Sequence, residues 1–220
     1  MIEKKTALVI GATGVTGTPL VQYLTELDTY SKVTVFTRRP IEFQHHKITN
    51  HVVNFDNIGE WQDLLSGDDL FSAMGTTLKL AGSKKAQYKV DYHYQANTAL
   101  AASNNGVKRL FLVSAPNAKA KSAIFYNRMK GELEDYVATL NFNSVIYFRP
   151  SIIQGNRMDK RLGEQIGFSV LDKATTLLPF LATYRPISGG NLANAIANSS
   201  TLNFKPGLHD YELGEIFSLI

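Results

Sequence analysis

Residues Gly11-Ala12-Thr13-Gly14-Val15-Thr16-Gly17 narrow the choice of fold more than any other stretch. They follow the apolar run Ala7-Leu8-Val9-Ile10 and precede Leu20-Val21-Gln22-Tyr23-Leu24, where apolar residues recur at helical spacing. Buried strand, glycine turn and helix, in that order, meet the needs of a dinucleotide's pyrophosphate. A residue without Cβ permits the tight turn and the approach of backbone to phosphate. The free N–H groups at the helix's positive end then face the anion. Pro19 fits the first helical turn, where a missing N–H costs little.

The alternation continues along the chain. Its pattern predicts strands over 6–10, 31–36, 51–55, 69–73, 109–113 and 143–148, with helices over 15–27, 58–65, 87–104 and 123–140. Asn105-Gly106 stops the third of these helices. Six strands alternating with helices define an α/β fold, a doubly wound parallel sheet of the Rossmann type with right-handed crossovers. Residues 151–220 hold Gly155, Gly163, Gly167, Pro179 and Pro186 between apolar pieces, with a helix over 190–200 and a short strand over 209–213. They read as a small C-terminal substrate-side cap on the same domain, so that 1–220 form one unit. Phe168, Leu171, Leu177, Leu178 and Phe180 suit the core of that cap or the wall of an apolar pocket.

Composition excludes several classes. The chain of 220 residues has no cysteine, which rules out disulfides, thiolate metal sites and a cysteine nucleophile and fits a reducing compartment. A net charge of +4 with scattered basic residues gives no concentrated patch for nucleic acid. Glu3, Lys4 and Lys5 lead into an apolar run too short for a signal peptide, and no stretch nears the roughly 20 apolar residues of a membrane span. The expectation is a soluble, cytoplasmic protein acting on a small molecule, as a monomer or homodimer. His45, His46 and His51 fall near a loop without a carboxylate set, so no metal is expected. Lys79, Lys84 and Lys85 read as a solvated basic face or as attraction for an anionic substrate, and Trp61 as a packing residue.

Two constellations carry chemistry. About 20 residues after the glycines, where a carboxylate would hold the ribose 2′-hydroxyl of NAD, the chain has Thr37-Arg38-Arg39 and no acid before Glu42. Guanidiniums pair with a 2′-phosphate that a carboxylate would repel, so NADP (NADPH) is the expected cofactor; two solvated arginines are the competing reading. Small residues after the fourth strand, Met74-Gly75-Thr76-Thr77, suit close approach to the cofactor or a plain turn. Ser114 ends the fifth strand, and Tyr126 and Lys130 stand one turn apart on one face of the next helix. Hydride reduction of a carbonyl needs a proton for the developing alkoxide. A phenol whose pKa a neighbouring ammonium lowers can supply it while a serine hydroxyl holds the oxygen. Taken alone, the Tyr/Lys pair reads as a surface pair; its place after a strand that ends in serine favours the catalytic reading.

Gly11-x-x-Gly14-x-x-Gly17 with Ser114 and Tyr126-x-x-x-Lys130 resembles the short-chain dehydrogenase/reductase superfamily, in the glycine spacing of its extended and atypical branches. Arg38-Arg39, Gly75-Thr76-Thr77 with Ala81-Gly82-Ser83, Val90-Asp91-Tyr92, Lys130-Gly131-Glu132 and Phe148-Arg149-Pro150 are similar to atypical NADPH-binding members such as the Tat-interacting protein. The resemblance covers about residues 6–155. It implies that Gly11, Thr13, Gly14, Val15 and Gly17 cradle the pyrophosphate and that Arg38 and Arg39 take the 2′-phosphate. Asp56 would lie by the adenine, Met74 and Gly75 beneath the ribose, and Pro150, Ser151 and Ile153 by the carboxamide. Tyr126 would be the general acid, Lys130 its partner and ribose ligand, and Ser114 the carbonyl-orienting donor. Asp91 stands where extended members often carry an asparagine, which departs from their proton relay. Three functions are consistent with this: an NADP-dependent oxidoreductase on a small carbonyl or alcohol, an NADPH-binding regulatory or redox-sensing protein without turnover, and a nucleotide-sugar epimerase or dehydratase, which the short cap disfavours.

Overall fold

The computed structural model describes residues 4–154 and 185–220. Its frame is a seven-stranded sheet in which every pairing is parallel, in the order β3-β2-β1-β4-β5-β6-β9. The strands are β1 (Lys5–Ile10), β2 (Tyr30–Thr37), β3 (Ile48–Val52), β4 (Asp69–Ser72), β5 (Arg109–Val113), β6 (Ser144–Arg149) and β9 (Gly207–Glu212); β7 (Ile153–Gln154) and β8 (Ile187–Ser188) pair apart from it. The order reverses between β1 and β4, and the crevice outside their C-terminal ends is where such sheets bind ligands.

Alternation along each strand feeds two cores. Ala7, Val9, Val33, Val35, Phe71, Phe111, Ile146 and Phe148 face one side and pack against Leu20, Val21 and Leu24 of α1 (Gly17–Glu26). Leu192, Ala193 and Ile196 of α6 (Gly189–Ser199) complete that layer. Leu8, Ile10, Leu70, Leu110, Leu112, Val145 and Tyr147 face the other side, under α4 (Tyr94–Asn104) and α5 (Phe125–Val137). Trp61 packs there between Phe36 and Phe55, its indole N–H donating to the Asn54 carbonyl at 3.0 Å.

Several expected boundaries move, each for a local reason. The third strand lies at Ile48–Val52, not 51–55, because its partner β2 ends at Thr37, which pairs with Val52. The expected helix over 58–65 is two 3₁₀ turns, Ile58–Glu60 and Gln62–Leu64, interrupted at the pinned Trp61. The helix expected over 87–104 is compound. It consists of α3 (Lys84–Tyr88), a π-turn (Lys89–His93) and α4, preceded by the unexpected α2 (Leu78–Ala81). Thr77 caps α2 by accepting from the Leu80 N–H, and Ser83 caps α3 by accepting from Ala86, with Gly82 left-handed between them. Within the region expected to form a cap, α6 and β9 belong to the main sheet and its helical layer, since β9 finds its hydrogen-bonding partner in β6. The apolar set from Phe168 to Phe180 lies outside the described residues.

At the sheet's other end, away from the crevice, a buried ion pair ties three strands. Arg109 grips Asp69 with two hydrogen bonds of 2.6 Å, Tyr30 donates its hydroxyl to the same carboxylate at 2.6 Å, and Arg109 also reaches the Ser200 carbonyl at 2.8 Å. Asp69 is 1% exposed, so losing a donor leaves a charge short of partners. Tyr30→Phe is expected to cost about 1.5–3 kcal/mol in urea unfolding, with dinucleotide affinity of the folded protein unchanged.

Candidate active site

Gly11 ends β1 at φ +81°, and a Cβ there would strike the backbone of Ala73 and Met74. The register explains the crowding, since Ile10 pairs with Phe36 on one side and with Ser72 on the other. The turn closes through the Gly14 N–H to the Gly11 carbonyl at 2.9 Å. A Cβ on Gly17 would overlap that same carbonyl, so helix and turn meet backbone to backbone. Among the described residues, the N–H groups of Thr13, Val15 and Gly17 have no partner, and Thr16 supplies no side-chain cap. The first turn of α1 also carries no acid. Donors left free at a positive helix end suit an anion.

Sequence reasoning missed what supports this turn. Gly189, the first residue of α6, lies against the Val15 carbonyl so closely that a Cβ has no room. The signal was the Gly189-Gly190 pair at the start of an apolar helix, which reads locally as a helix boundary and no more.

Arg38 and Arg39 follow β2 directly, one strand over from Gly11, exposed and without an ion pair among the described residues. The loop after β4 is stitched by three side chains one turn apart. Gln87 donates to the Thr76 carbonyl at 3.2 Å, Asp91 accepts the Thr76 N–H at 2.9 Å, and Gln95 donates to the Asp91 carbonyl and accepts from Ser72. Met74 and Gly75 are thereby held beside the glycine turn. Asp91 thus has a role the sequence did not disclose.

Ser114 follows β5, and Tyr126 and Lys130 lie in the first two turns of α5. Ser114 is 4% exposed, and its Oγ is the one buried side-chain polar atom without a hydrogen-bond partner among the described residues. Lys130, 3% exposed, donates to the Val113 carbonyl at 3.1 Å, next to Ser114. Burial pushes the Lys130 ammonium pKa down, while the carboxylates of Asp91 and Glu134 push it up. Burial raises Asp91, opposed by Lys130 and by the Thr76 N–H. Tyr126 does not behave as expected. Burial, with the Asp91 carboxylate adding to it, pushes the phenol up to about 12 instead of down. Tyr126 is 39% exposed, so solvent tempers the burial part, and the carboxylate's share of the direction stands. The expected lowering fails because the Lys130 ammonium bonds to a backbone carbonyl and is balanced by two acids.

The helix carrying the pair is anchored by Arg149, which grips Glu134 at 3.0 and 2.8 Å and also reaches Glu212 at 3.0 Å, while the Tyr147 hydroxyl donates to the Glu134 carbonyl. Pro150 is buried beyond it, Ser151 donates to the Arg185 carbonyl at 2.5 Å, and Ile153 packs on the core below α1. Asp56 accepts from Lys89 at 2.6 Å and from the Tyr94 hydroxyl at 2.8 Å. His45 and His46 lie ring to ring at 4.2 Å and His51 stacks on Phe36; among the described residues no group of three metal-ligating side chains occurs.

A family model described as NAD(P)H-binding matches residues 11–144. Protein FMP52, mitochondrial, of Candida glabrata is 33% identical over 165 residues, covering 74% of this chain and 70% of that protein. Protein HTATIP2 of Rattus norvegicus is 31% identical over 167 residues, 74% of this chain and 69% of that protein. Among solved structures, a short-chain dehydrogenase/reductase superfamily protein from Agrobacterium tumefaciens with bound NAD has a TM-score of 0.67 at 13% identity, covering 94% of this chain and 77% of that one. The FMP52 relatives are named mitochondrial, which overturns the expectation of a cytoplasmic protein. The composition behind that expectation bears on membrane spans and disulfides and does not distinguish one reducing aqueous compartment from another. The chain belongs to the NAD(P)H-binding family, as a homologue of the FMP52 and HTATIP2 proteins.

Proposed function

We propose that this protein is an NADP-dependent oxidoreductase that reduces the carbonyl of a small molecule. The observation that carries the reading is the Ser114 hydroxyl, buried with no partner among the described residues beside the Lys130 ammonium. An orphaned buried hydroxyl costs stability unless something outside the chain uses it. The residues fit a dinucleotide: the turn at Gly11–Gly17 leaves donors for a pyrophosphate, and the crowded glycines leave no side chain in its way. When bound, NADPH supplies the hydride.

The chain's own groups do the rest. Arg38 and Arg39 pair with the 2′-phosphate. Ser114 donates to the carbonyl oxygen and stabilises charge as it develops there. Tyr126 delivers its phenolic proton to that oxygen, and a raised pKa keeps the proton in place at neutral pH. Lys130 binds the ribose hydroxyls, and Asp91 keeps a charge beside it in a site that excludes water.

Three measurements test this reading. Ser114→Ala removes a hydroxyl that has no partner among the described residues. It is expected to leave the unfolding midpoint unchanged while lowering kcat about 10²–10³-fold. Arg38→Ala is expected to weaken NADPH by about tenfold or more in a fluorescence titration and to leave NADH nearly unchanged; equal losses for both overturn the 2′-phosphate assignment. In the reverse direction the base is the Tyr126 phenolate. Alcohol oxidation by NADP should therefore rise with pH through the alkaline range, toward the raised phenol pKa, and Tyr126→Phe should abolish that limb. Tight NADPH binding without consumption across a broad carbonyl panel would establish the regulatory reading in place of this one.

A further inference from the structure

A cleft of about 680 Å³ opens on the outer face of α3, the π-turn and α4. Of the residues expected at the cofactor only Asp56 lines it, and none of the glycine turn, of the Met74–Thr77 loop or of the Ser114, Tyr126 and Lys130 set does. Its size falls within the range of about 300–1,000 Å³ usual for small-molecule pockets. Four aromatic rings, Phe55, Tyr88, Tyr94 and Phe125, form its walls. Both phenols are pinned: Tyr94 donates to Asp56 at 2.8 Å and Tyr88 donates to Glu132 at 2.9 Å. Phe55 and Tyr94 pack at 5.5 Å, so the walls are set before any ligand arrives.

Charge at the cleft is one-sided. Lys84, Lys85 and Lys89 line it against a single carboxylate, Asp56, which Lys89 already neutralises at 2.6 Å. Lys84 lies over the Phe125 ring at 5.5 Å, and neither it nor Lys85 makes an ion pair among the described residues. The π-turn lets one helical run serve two sites. Gln87, Asp91 and Gln95 are buried against the β4 loop, while Lys89, His93 and Asn97 face the cleft.

We propose that this cleft is a second small-molecule site, taking an aromatic anion whose ring stacks on the tyrosine and phenylalanine walls and whose carboxylate, sulfonate or phosphate meets Lys84 and Lys85. Ring faces supply apolar area and the two lysines supply the charge preference.

Titration with 8-anilinonaphthalene-1-sulfonate, in saturating NADPH to keep the crevice occupied, tests it. Saturable binding is expected, weakened about tenfold by the double variant Lys84→Gln/Lys85→Gln and restored by Lys84→Arg/Lys85→Arg. The uncharged N-phenyl-1-naphthylamine should bind the wild-type protein more weakly. Unchanged probe affinity in the glutamine variant, or equal binding of the neutral probe, would overturn the proposal. Both lysines are exposed, so the variants fold, and NADPH affinity measured alongside reports separately on the dinucleotide site.

Discussion

The close approach of backbone to backbone around Gly11 is the constraint on which the rest of the site depends. Strands β2 and β4 flank β1, and Gly11 leaves the sheet where the Ala73 and Met74 backbone already fills the space a side chain would need. Gly17 closes on the Gly11 carbonyl from above, and Gly189 lets α6 rest on the Val15 carbonyl from the side. Any Cβ at these points would push the turn outward and carry the free N–H groups away from an anion. The loop after β4, the arginines after β2 and the start of α1 therefore share one set of coordinates.

A second layer of polar contacts translates that frame into chemistry. Gln87, Asp91 and Gln95 tie the β4 loop to the helix that covers it, and Arg149 ties α5 to the edge of β6. Lys130 is then held in a site that disfavours its charge, with Asp91 and Glu134 as counterweights. Burial and Asp91 push the Tyr126 phenol up, and the Ser114 hydroxyl has no partner among the described residues. The Arg109–Asp69–Tyr30 network at the opposite end bears on stability, which separates the two ends of the sheet by role.

Much of this was legible along the chain. Strand β5 falls where its apolar run falls, and Gly106, at φ +84°, ends α4 where Asn105-Gly106 signalled a stop. Gly11, Arg38 and Ser114 lie at one edge because a parallel sheet delivers the residue after each strand to the same side, a consequence of topology that alternation alone reveals. Other features were not legible. Residues 51–55 look like a strand by their valines, yet pairing with β2 selects 48–52. Residues 87–104 look like one helix, yet the run begins three residues earlier at the Ser83 cap and the π-turn divides it.

What the sequence determined by itself is local: the glycine turn, the order of strands and helices, the basic pair after β2 and the Tyr126–Lys130 spacing all rest on residues a few positions apart. What only the tertiary structure decided is non-local. Strand β9 joins β6 across some sixty residues, Gly189 backs a turn more than 170 residues earlier, and burial, with Asp91 adding to it, sets the direction of the Tyr126 shift. The reason is physical: propensity and periodicity act over a turn or a strand, whereas burial, desolvation and the balance of buried charge depend on which distant segments the fold brings together.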